Sequence, residues 1–177
     1  MRGLVLTSVV GILAAVPLVS QGLAGQKPRR PWVLEGPNVV VVSPPPAVAA
    51  VARPYVDDVF RGVAADLNRD GTDDYIIQGR RDECGTGGCT YWIFDGVTAK
   101  RIGDPGGNTI VVRAEFTNGL PNIETYSRGS SDSGAFSVYV FDGNTYVRKS
   151  STTLEGAPMW VKLRMWRNYP KWPAPAP

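Results

Sequence analysis

From residue 55 onward the chain alternates apolar and polar side chains with a period of two. That is the pattern of half-buried strands, not of amphipathic helices. It predicts strands over 59–65, 74–78, 90–94 and 98–102. A second set follows at 110–116, 123–126, 136–141 and 146–149. β-branched and aromatic residues are concentrated in these runs. Asp95-Gly96 and Asp142-Gly143-Asn144 carry the residue types of tight hairpin turns. A last alternating run, Trp160 to Arg167, predicts a final strand. Its one face would hold Trp160, Lys162, Arg164 and Trp166; its other face would hold Val161, Leu163, Met165 and Arg167.

The two sets resemble each other. Tyr91-Trp92-Ile93-Phe94-Asp95-Gly96 lines up with Val138-Tyr139-Val140-Phe141-Asp142-Gly143. At nearly the same offset, Asp70-Gly71 lines up with Asn118-Gly119. Two anchors in one order make an internal repeat, about 59–103 and about 110–150, each unit a short meander. Two units plus one strand are too few to close a propeller, which takes ~4–8 blades. The expected fold is therefore all-β: two blade-like antiparallel β-meander units packed as a compact sandwich-like module over 55–169.

The ends read differently. Arg2 followed by the apolar run from Leu4 to Val19, with small residues at Gly22-Leu23-Ala24, reads as a secretory signal peptide over 1–24. The run falls short of the ~20 residues that a membrane span needs. No stable span is expected after leader cleavage, and the mature protein is expected in the periplasm or outside the cell. Prolines crowd residues 25–54 and 170–177. The first segment is expected to be an extended linker, with a short strand at 38–42 and a helical turn at 47–52. The second is expected to be a polyproline-like tail.

The 177 residues include no histidine and two cysteines. Lacking histidine, the chain has no Ser-His-Asp or Cys-His catalysis and no histidine-ligated zinc. Cys84 and Cys89, separated by a glycine-rich stretch in an exported chain, are expected to pair as a disulfide. The net charge of +3 is a weak argument for nucleic acid, which export also disfavours.

The chemistry concentrates in Asp66-Leu67-Asn68-Arg69-Asp70-Gly71-Thr72-Asp73-Asp74. Oxygen-bearing side chains stand at positions 1, 3, 5 and 9, with glycine at 6 for the sharp turn; this is the spacing of a calcium loop. Asp66, Asn68 and Asp70 would give side-chain oxygens, Thr72 its backbone carbonyl, and Asp74 would close the loop. Ile77 stands where an EF-hand has its bidentate glutamate, and a strand follows instead of a helix. The alternative is a metal-free Asp/Asn turn between strands.

With its flanking strands, this stretch resembles the FG-GAP/VCBS type of repeat, built as strand, Asp-x-Asn/Asp-x-Asp-Gly-x-x-Asp, strand. The resemblance implies a calcium-stabilised β-unit of a secreted or cell-surface protein. The second copy departs from it: Ala114 and Phe116 stand near the first two ligand positions, so only Asn118 and Asn122 remain.

These readings predict an exported, calcium-stabilised, non-catalytic β-module that binds a protein or glycan at the cell envelope or outside the cell, or plays a structural part there. The Trp160/Lys162/Arg164/Trp166 face is its candidate binding surface, against a plain solvated edge strand. The alternative function is a carboxylate-based hydrolase acting on glycans or cell-wall material, although Glu35, Glu83, Glu115, Glu124 and Glu155 form no recognisable pair in the sequence.

Overall fold

The computed structural model describes residues 31–36 and 39–171. The expected leader, the first residues of the proline-rich segment and residues 172–177 lie outside them. The two repeats become two antiparallel sheets. The first repeat contributes β3 (Arg61–Ala65), β4 (Asp74–Gln78), β5 (Cys89–Phe94) and β6 (Arg101–Gly103) to one sheet, which β2 (Val40–Val41) extends. The two-residue β7 (Gly106–Gly107) pairs with β5. The second repeat forms β8 (Thr109–Thr117), β9 (Leu120–Arg128), β10 (Ser133–Phe141) and β11 (Tyr146–Glu155). With β1 (Trp32–Glu35) added at one edge, the order is β1-β8-β9-β10-β11.

The sheets pack face to face, as the alternation requires. Val63, Ala65, Ile76 and Ile93 from one sheet meet Leu34, Ile110, Val112 and Ile123 from the other in one buried cluster. The opposite parity points outward and is also buried: Ile77 and Phe94 on one side, Val111 and Phe136 on the other. Each outer face carries a helix. α1 (Pro46–Ala52) covers the first sheet with Val48 and Ala52, one turn apart. α2 (Gly156–Arg167) covers the second with Met159 and Trp166. The result is a four-layered α/β/β/α sandwich.

Two sequence expectations are corrected. The proline-rich segment is not merely a linker. Trp32, Val33 and Leu34 are buried in β1, which pairs with Ile110, Val111 and Val112 of β8. Pro46 opens α1, where its missing N–H costs nothing. The folded module thus begins near Trp32 and not near residue 55.

The final strand is a helix. Met159, Leu163 and Trp166 lie at i, i+4 and i+7, a helical stripe that fits the apolar outer face of the second sheet. The period-two reading of this segment used Val161 and Met165 as core residues. In the helix these are 67% and 47% exposed.

Candidate functional site

The Asp-rich stretch is the loop between β3 and β4, and its polar side chains wrap its own backbone. The Asp66 carboxylate accepts from the N–H groups of Asp70 (3.1 Å) and Gly71 (3.2 Å). Asn68 Oδ1 also accepts from Asp70 N–H (3.0 Å), while its Nδ2 donates to Asp70 Oδ2 (2.7 Å). Asp70 Oδ1 accepts from Thr72 N–H (2.7 Å). Two residues take left-handed backbone, Arg69 at φ 67° and Gly71 at φ 92°. Glycine does so without penalty; Arg69 does not. The Arg69 guanidinium stacks 4.3 Å from the Phe116 ring centroid, tying the loop to β8.

Asp74 differs from the rest. It is 1% exposed. Its Oδ2 accepts from Leu67 N–H (3.0 Å) at the start of the loop, and its Oδ1 from Gly96 N–H (2.9 Å) across the sheet. One carboxylate therefore clamps the loop to the turn after β5. Burial pushes its pKa up, against the pull of these two N–H groups, and the nearby Asp95 and Asp70 charges raise it further. The glycine of the first Phe-Asp-Gly is explained by this contact. A Cβ at Gly96 would lie 1.9 Å from the Asp73 carbonyl oxygen. In the second repeat Gly143 is needed for a different reason, its φ of 108°.

The aspartates of the two Phe-Asp-Gly motifs cap turns. Asp95 accepts from Thr98 N–H and Oγ1, both at 2.6 Å; Asp142 accepts from the N–H groups of Asn144 and Thr145, both at 2.8 Å.

The donor set of the loop suits a hard cation, since it is all carboxylate, amide and carbonyl oxygen. Each oxygen that accepts a loop amide keeps a further lone pair. The described residues do not, however, bring three acidic or cysteine side chains into one metal-holding cluster. The loop is a hydrogen-bonded scaffold whose ligand atoms would have to turn toward an ion.

The loop does not stand alone. The β8–β9 turn of the second repeat, Asn118-Gly119, faces it across a cleft of about 310 Å³. Asn68, Asp70, Asp95 and Ile102 of the first repeat line it together with Asn118, Gly119, Leu120 and Phe141 of the second. Asn118, at φ 49°, donates from Nδ2 to the Phe141 carbonyl (2.9 Å). The degenerate loop of the second repeat thus lies opposite the intact loop of the first. Sequence alignment of the repeats pointed to both loops but not to their meeting.

Cys84 and Cys89 form the expected disulfide, with Cα atoms 4.4 Å apart. It closes a tight turn in which Gly85 and Gly88 exchange backbone hydrogen bonds of 3.0 Å. Gly88 has φ 104°, and a Cβ there would strike Gly107.

The expected Trp160/Lys162/Arg164/Trp166 face does not exist, because a helix turns residues two apart to different sides. Trp166 is buried, edge-on to Phe136 at 5.3 Å, and its Nε1 has no hydrogen-bond partner among the described residues. Lys162 points the same way, 4.8 Å from the Phe136 ring and 3.3 Å from Glu124. Trp160 and Arg164 lie on the exposed side, and Trp160 Nε1 donates to Asp132 (3.1 Å).

One carboxylate pair was not legible in the sequence. Glu115 and Glu124 both contact Arg113, each at 3.2 Å. They come from adjacent strands, Glu115 from the stretch between Val112 and Phe116 where the β8–β9 register shifts, and Arg113 links them. The guanidinium stands between them, and Glu124 also receives Lys162.

No protein-family model, curated protein or solved structure matches the chain.

Proposed function

We propose that this is an exported, calcium-stabilised, non-catalytic β-module serving in binding or in a structural role at the cell envelope or outside the cell. The observation that carries the reading is the Asp66–Asp74 loop, whose oxygens are gathered by its own backbone amides and whose base is clamped by the buried Asp74. Asp66, Asn68 and Asp70 would hold the ion with their side chains and Thr72 with its carbonyl. Asp74 is the anchor that keeps the loop in register. A cation would relieve the mutual repulsion of Asp66, Asp70, Asp73 and Asp74, crowded within nine residues. The Cys84–Cys89 disulfide fits an oxidising compartment.

Binding is favoured over carboxylate hydrolysis because Glu115 and Glu124, two glutamates that share a cation, are both engaged by Arg113. A hydrolytic pair needs an acid and a base facing each other across open space.

The test is a thermal melt in EDTA and in millimolar calcium. A ligand that binds only the folded state stabilises by about 2.7 kcal/mol at 100 times its Kd, roughly 8 °C for a domain of this size. Equal melting points at every calcium level, together with no metal by elemental analysis, would end the calcium reading.

A further inference from the structure

The outward face of α2 is the opposite of what a solvated helix presents. Met159, Leu163 and Trp166 are spent on the sheet. At 3.6 residues per turn, the far side carries Trp160, Val161, Arg164 and Met165. Trp160 is 45% exposed, Val161 67% and Met165 47%. A helix docked by one apolar stripe normally keeps polar residues on the other. Here three large apolar side chains are exposed on the solvent side of one helix, and exposed apolar surface of this kind marks contact surfaces.

Along α2 itself the charge has one sign, although the exposed Glu155 just precedes the helix. From Pro158 to the end of the chain the charged residues are Lys162, Arg164, Arg167 and Lys171, with no acid. Lys162 and Lys171 are engaged by Glu124 and Glu35. Arg164 and Arg167 are exposed. The nearest acid in contact with the face is Asp132, which accepts from the Trp160 indole N–H. The helix also lies along the outer surface of the second sheet, so its far side can be laid flat against a plane.

We propose that this face docks the protein on an anionic phospholipid surface. Trp160, Val161 and Met165 would enter the headgroup region to shallow depth, while Arg164 and Arg167 pair with phosphates. Tryptophan favours that interface, and guanidinium groups match phosphate geometry. A protein partner fits less well. A groove-binding partner needs an unbroken apolar stripe, whereas on this face apolar residues alternate with exposed arginines. The proposal rests on the reading of the chain as an envelope or extracellular protein, since that is where it would meet lipid. It does not involve calcium.

The experiment is co-sedimentation of the exported protein, its N-terminus read by mass spectrometry, with vesicles of phosphatidylcholine alone and with added phosphatidylglycerol, all in EDTA. Binding should require the anionic lipid and fall as salt rises. Arg164→Gln and Arg167→Gln should each weaken it roughly fivefold, and Trp160→Ala roughly tenfold. Arg164 and Arg167 are exposed, so their variants should melt like the parent; Trp160→Ala also loses the bond to Asp132 and is read alongside its melting point. Arg81→Gln with Lys100→Gln, two cations on loops of the first sheet, should leave binding unchanged. No binding, equal binding to neutral vesicles, or equal loss in the Arg81/Lys100 variant would overturn the proposal. So would a dimer in gel filtration that Trp160→Ala dissolves, since a second copy would then cover the face. Because calcium is absent throughout, failure here is distinct from a flat calcium melt.

Discussion

Replacing Asp74 by alanine separates the anchor of the loop from its ion ligands. The substitution leaves the N–H groups of Leu67 and Gly96 without their carboxylate acceptor. A hydrogen bond to a charged group contributes ~1.5–3 kcal/mol, and an unmet buried donor costs ~1–3 kcal/mol. Two such bonds are lost, but so is the expense of burying a carboxylate, which the raised pKa of Asp74 registers. The net loss should be about 2–4 kcal/mol, a large share of the ~5–15 kcal/mol that holds a domain together. Asp70 is exposed, and its acceptor role toward Thr72 can pass to water. Asp70→Ala should therefore cost less than about 1 kcal/mol in the absence of metal. Urea denaturation at pH 7 in EDTA measures both. The Asp74→Ala midpoint should fall far with the m-value unchanged, while the Asp70→Ala midpoint stays near the parent. In calcium the Asp70 variant should gain nothing, and the Asp74 variant should keep part of the shift. An Asp74→Ala protein within about 0.5 kcal/mol of the parent in EDTA would refute the clamp.

Trp166→Ala should destabilise by ~3–5 kcal/mol, read by chemical denaturation, because it empties the contact between α2 and Phe136. Cys84→Ser with Cys89→Ser should cost about 2 kcal/mol, small because the closed loop is short; dithiothreitol should lower the parent's midpoint by a like amount. Acid should also be selective. Glu115 is held below its usual 4.5 by its own backbone N–H and by Arg113, and Asp142 below its usual 3.8 by the Thr145 and Asn144 N–H groups. Stability from a lowered carboxylate is full above the unfolded value and is lost as pH falls through the folded one, here below about pH 4. Asp74, raised by burial, has the opposite sign and favours folding as it takes up its proton. Urea midpoints at pH 5 and pH 3 should therefore diverge less for Glu115→Gln with Asp142→Asn than for the parent.

Most strands of both repeats were legible because β-branched and aromatic residues concentrate wherever a sheet is buried, although β6 begins only at Arg101, after the turn that follows Asp95, and not at residue 98. The disulfide was legible because glycines between two cysteines leave few other uses for them. Less of the site was legible. The spacing of Asp66, Asn68, Asp70 and Asp74 pointed to the loop and to Asp74 as the residue that closes it around an ion, but not to the backbone N–H groups that Asp74 holds. That Asp74 faces inward depends on Gly96, which β5 brings alongside. Glu115 and Glu124 became a pair only through Arg113, across the β8–β9 register shift.

The sequence by itself determined the two units, their turns and the loop that interrupts the first, since each depends on neighbours close along the chain. Tertiary structure decided the rest. Trp32 to Glu35 is a strand because β8 offers it an unpaired edge and both its faces find apolar partners. Residues 156–167 are a helix although their polarity alternates, because the second sheet's outer face has Val111, Tyr126 and Phe136 to cover and a helical stripe of Met159, Leu163 and Trp166 covers them. Local pattern ranks the conformations a segment can adopt; burial against a partner, worth ~25 cal/mol for each Å² of apolar surface, selects among them.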